Sequence, residues 1–123
     1  MGLLSQLLLI KELENTKLIK KEQRLIMKYK TKVIFDSTKR HVFPNLSGKV
    51  YMPHFVIENT ADYLGIAFVS SDLNEFDIEG EAIVSALYES TGVDYQKFVP
   101  GARFSIVEGK NKVGNGEVIS ILD

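Results

Sequence analysis

The chain has 123 residues, 45% of them hydrophobic and 25% charged, which fits one domain built around a single apolar core. It contains no cysteine, which excludes disulfide staples, thiolate nucleophiles and Cys-ligated zinc, and a reducing, cytoplasmic setting is expected. The net charge of -1 hides an asymmetry: residues 11–40 hold ten Lys/Arg against four Asp/Glu, net +6, whereas residues 41–123 hold five against twelve, net -7. Neutralisation of the basic part by the chain's own acidic part is the simpler expectation, ahead of a polyanionic partner.

In residues 2–14, Leu3, Leu7, Ile10 and Leu13 recur at helical spacing with little β-branching, which predicts a short N-terminal helix. It is too short to span a bilayer and lacks the flanks of a secretory signal, so no membrane contact is expected. Gln6 stands where a myristoylation motif wants Ser or Thr. The helix is expected to cover an end or edge of the sheet, with a homo-oligomer contact as the alternative. Lys17 to Arg24 reads as a charged connector, so residues 1–24 form an extension and residues 25–123 the domain.

From Leu25 the period becomes two. Met27, Tyr29, Thr31, Val33 and Phe35 alternate with Lys28, Lys30 and Lys32, a first strand with three lysines on its outer face. Such a row can grip phosphates, but it also keeps an exposed face soluble, and the second reading is preferred. Asp36 to Gly48 is a long loop, followed by a second strand, Lys49 to Ile57, in which Pro53 lacks a ladder donor and marks a strand start, edge or bulge. His41 and His54 are the only histidines, and without cysteines or a His-x-x-x-His spacing they make a poor metal site.

Asn59 to Asp62 reads as a turn, Tyr63 to Val69 as a third strand, Ser70 to Glu79 as an acidic loop and Glu81 to Glu89 as a fourth strand. The acidic loop has Phe76 and Asp77 where an EF-hand needs a ligand and a glycine, so it is expected to be solvated. Ser90 to Asp94 is a further turn. Beyond Tyr95 to Pro100 the chain closes with a hairpin: Arg103 to Val107 and Val113 to Ile121 flank a predicted loop, Glu108 to Lys112, and Gly114-Asn115-Gly116 reads as a bulge at a barrel corner. Six short strands without a long intervening helix predict an all-β fold, a closed antiparallel barrel.

Enzyme signatures are missing. Neither Gly48-Lys49 nor Gly109-Lys110 completes a phosphate-binding P-loop, Gly114-x-Gly116 lacks the third glycine of a dinucleotide fingerprint at Ile119, and no Gly-x-Ser-x-Gly elbow occurs. No enzyme activity and no cofactor are expected.

The hairpin residues Gly101-x-Arg103-Phe104-x-Ile106-x-Glu108-Gly109, followed by Val113-Gly114-x-Gly116-x-Val118, resemble the closing hairpin of the C-terminal, third domain of elongation factor Tu. Arg40-His41, Gly48 and Tyr51-Met52-Pro53-His54-Phe55 extend the likeness, which covers roughly Leu25 to the C-terminus. The resemblance implies a six-stranded barrel without catalytic residues that contacts tRNA and protein partners, with Glu108-Gly109 at the tRNA-contacting tip. A family lysine that helps neutralise RNA phosphate falls at Asp94, and Met52 replaces a further family cation, an arginine. The expectation is therefore a non-catalytic module for a protein partner. The alternative is a translation-associated tRNA-binding module, and the residues proposed for either contact are Glu108, Gly109, Lys28, Lys30, Lys32, Arg40 and His41.

Overall fold

A computed structural model describes residues 27–88 and 93–122. The N-terminal helix expected in residues 2–14, and most of the turn expected at 90–94, lie outside the described residues. Six strands close into an antiparallel barrel: β1 (Lys28–Phe35), β2 (His54–Ile57), β3 (Tyr63–Ser71), β4 (Gly80–Ala86), β5 (Arg103–Glu108) and β6 (Asn111–Leu122), in the spatial order β1-β4-β3-β2-β5-β6. Among the described residues no helix is long and apolar enough to cross a membrane.

Alternation fixes which side chains fill the interior. Along β1, Tyr29, Thr31, Val33 and Phe35 are buried and Lys28 and Lys32 exposed, the period-two pattern of a strand with one wet face. The inward Thr31 hydroxyl is satisfied by donating to the Ala82 carbonyl at 2.9 Å, which removes the penalty of burying it. Phe55 and Phe104 stack at the centre with ring centroids 4.0 Å apart and planes 9° apart, and Phe98 from the connection before β5 packs edge-on against Tyr29 at 4.6 Å. Tyr95, from the same connection, donates its hydroxyl to the Gly65 carbonyl at 2.8 Å.

The second strand is shorter than its hydrophobic run. Pro53 has no N–H to give, so regular pairing with β5 begins only at His54, although Tyr51 and Pro53 still accept bonds from Phe68 and Ile66 of β3. The closing loop is also tighter than expected. Glu108 pairs with Asn111, which leaves only Gly109-Lys110 as the turn, and Gly109 takes the positive φ of 62° that a two-residue hairpin turn asks of its first residue.

Gly114 and Gly116 do not form the expected bulge; the extra residues of β6 are Val113, against β5, and Ile119, against β1. The two glycines sit in regular pairing because β1 passes so near that a Cβ at Gly114 would lie 2.4 Å from the Ile34 carbonyl oxygen. At Gly116 the corresponding distance is 2.3 Å from that of Lys32.

Candidate functional site

Topology sorts the loops by barrel end. The loop after β1, the β3–β4 loop and the β5–β6 turn share one rim, where Asp36 N–H bonds to Val113 O and Asp77 N–H to Phe35 O. Asp77, read from sequence as part of a solvated acidic loop, accepts from Ser37 N–H at 3.1 Å and Ser37 Oγ at 2.5 Å and so ties two rim loops together.

Two proposed contact residues, Arg40 and Glu108, meet on this rim. Glu108 Oε2 accepts from Arg40 Nε at 2.8 Å and from the Tyr51 hydroxyl at 2.5 Å, while the Arg40 guanidinium lies 5.3 Å from the Tyr51 ring centroid and also donates to Val42 O. Partial burial raises the Glu108 pKa, but the hydrogen bonds from Tyr51 and Arg40 and the Arg40 charge together outweigh it, so the carboxyl is held below its ordinary value. Burial, then the bond to Glu108, push the Tyr51 phenol well up, so it stays a donor. Desolvation works against the Arg40 charge, yet the bond to Glu108 wins and the guanidinium is held more firmly protonated. The trio is a clamp between a long loop and a hairpin tip, and one oxygen of the Glu108 carboxylate is already committed to it. Gly109, next along, is exposed, and so is His41.

The lysine row lies elsewhere, on the outer face of β1. Lys30 pairs with Glu81 at 3.3 Å and Lys32 with Glu79 at 3.8 Å, so two of its three charges face acids supplied by β4 and the loop before it. Lys28 stands opposite Ser85 and Leu122 and is exposed. A shallow trough beside Gly116 is lined by Lys32, Glu79, Arg103 and Glu117, with Arg103 3.8 Å from Glu117; it balances charge rather than concentrating it. Neither place focuses the positive potential that an anionic backbone would need.

The outer face of β2 and β3 has a different character, which sequence reading missed. Tyr63 stands opposite Val56, and its ring lies 5.7 Å from that of His54. Met52 and Tyr63 are 55% and 51% exposed, and nearby Tyr88, whose ring covers Gly65, is 46% exposed. Aromatic and methionine side chains gathered on and beside a sheet with few charges have the composition of an interface core. The signal was present in the even spacing of Met52, His54 and Val56, but alternation alone does not tell which outer face will gather aromatic neighbours from other strands.

No protein-family model matches the chain, and no curated protein matches it in sequence.

Proposed function

We propose that this chain is a non-catalytic, cytoplasmic binding module of the elongation factor Tu C-terminal barrel type, which engages a protein partner through its outer surface. The observation that carries this reading is the contrast between two faces of one barrel. The lysines best placed to hold phosphate are opposed by Glu79 and Glu81, whereas Met52, His54 and Tyr63 present an apolar, aromatic face to solvent. A rigid sheet loses little freedom on binding, so affinity can come from a few anchors of this kind.

The second reading, a tRNA-binding module, rests on the hairpin tip. Lys110 and Lys112 are exposed beside Gly109, and Arg40 brings the Lys39–His41 segment to the same tip through Glu108. Backbone N–H groups there suit phosphate or ribose contacts that carry no sequence readout.

The test compares capture from native lysate by the wild-type chain and by Tyr63→Glu and Lys30→Glu variants. A protein retained by wild type and by Lys30→Glu but lost with Tyr63→Glu supports the β2–β3 face. Retention of the same proteins by all three, or of nothing but nuclease-sensitive material, refutes it.

A further inference from the structure

The alternation that fills the core also defines an outer face, and on β3 and β4 part of that face is sealed. Leu64, Ile66 and Phe68 of β3 and Val84 and Ala86 of β4 belong to the core cluster, so Gly65, Ala67 and Ser85 face outward. Ala67 stands directly opposite Ser85, and the two are 0% and 2% exposed. Small side chains on the outside of a sheet are shut from water only where something packs across them. Tyr88 does so at Gly65, where a Cβ would lie 2.3 Å from a carbon of the Tyr88 ring. Gly65, Ala67 and Ser85 therefore form a shallow seat bordered by Tyr88.

We propose that residues 3–13 of this same chain occupy the seat, with Leu3, Leu7, Ile10 and Leu13 laid across Gly65, Ala67 and Ser85. Three observations select this occupant. The first is where the segment is attached: Met27 O accepts from Ala86 N at 3.3 Å and Lys28 is opposite Ser85, so residues 1–26 are tethered to the barrel beside the seat. Residues 14–26 extended reach up to about 40 Å, far more than the few strand spacings involved. The second is pattern, because those four residues fall on one face at helical spacing and a row of small residues lets such a face approach closely. The third is charge: residues 3–13 hold one lysine, Lys11, and one glutamate, Glu12, so the segment brings no net charge to repel Lys28 at the seat's edge.

The seat adjoins the partner face on β2 and β3 and shares Tyr88 with it, but its test contains no partner, so failure of either reading leaves the other standing. The absence of cysteine allows a single nitroxide label at Ser5→Cys, off the Leu3/Leu7/Ile10/Leu13 stripe, in the full-length ¹⁵N-labelled chain. The amide signals of Gly65, Ala67 and Tyr88 are expected to broaden several-fold more than those of Asn115 and Glu117 on β6, across the barrel. A label at Glu12→Cys should reproduce the pattern, and adding Leu7→Asp should abolish it while leaving the barrel spectrum in place. Uniform or absent broadening overturns the proposal. So does the same broadening when spin-labelled, unenriched chain is mixed with ¹⁵N chain that carries no spin label, because the occupant would then be a second copy.

Discussion

Replacing Glu108 by glutamine keeps the size of the side chain and removes its charge, at the point where one oxygen takes both the Arg40 and Tyr51 hydrogen bonds. Hydrogen bonds to a charged group contribute about 1.5–3 kcal/mol when sheltered, and exposed ion pairs about 1 kcal/mol or less. The Arg40 and Glu108 side chains are 26% and 32% exposed, between those limits, and the glutamine carbonyl can still accept both bonds, though without the charge. The expected cost of Glu108→Gln is therefore about 1–2 kcal/mol.

The pH dependence gives the sharper check. The folded carboxyl titrates below its ordinary 4.5, so its contribution is complete above that value and is lost as pH falls through the depressed folded value. Tyr51 has the opposite sign: its folded pKa is raised above 10.0, so its contribution is complete below pH 10.0 and declines as pH rises beyond it. Urea unfolding of wild type and variant should show the full gap at neutral pH and a narrowing gap below pH 4.5. Equal stabilities at neutral pH, or a gap that does not change on acidification, would refute the clamp.

Gly116→Ala forces a methyl to within 2.3 Å of the Lys32 carbonyl oxygen and 2.7 Å of the Phe104 ring, and overpacking of that kind costs about 1–3 kcal/mol, seen as a lower melting midpoint. Gly109→Ala meets no atom but must hold a φ of 62°, so its loss should be about 1–2 kcal/mol and arise without repacking of the Phe104 ring signals. Phe104→Leu removes the stacked contact with Phe55 and should lower stability by about 1–2 kcal/mol in urea titration. Lys30→Ala, breaking an exposed pair with Glu81, should change stability by less than about 1 kcal/mol in the same assay.

What was legible in the chain was local. The switch to a period of two at Tyr29, Thr31, Val33 and Phe35 marked β1, and Asn59, which takes a φ of 66°, marked a turn. Boundaries suffered where pairing overrode composition: Glu108, Asn111 and Lys112 are polar enough for a loop, yet they belong to the ladder of β5 and β6. Gly114 and Gly116 were recognised as special but for the wrong reason, because the approach of β1, some eighty residues earlier in the chain, cannot be seen in the hairpin itself. The same blindness to distance hid the Arg40–Tyr51–Glu108 clamp, whose members are 57 and 68 residues apart, and the acids that face Lys30 and Lys32. The aromatic face required knowing that Tyr63 would be set beside Val56 and that Tyr88 would lie across Gly65.

The central claim, a barrel that engages protein rather than RNA, is tested most directly by titrating the full-length chain against aminoacylated and deacylated tRNA in a gel shift at about 50 mM and about 200 mM salt, since the salt slope counts phosphate contacts. The account predicts no complex at micromolar protein at either salt. A salt-sensitive complex at micromolar or tighter affinity, weakened by changing either Lys110 and Lys112 or Lys28, Lys30 and Lys32 to alanine, would contradict it and establish the chain as an RNA-binding module.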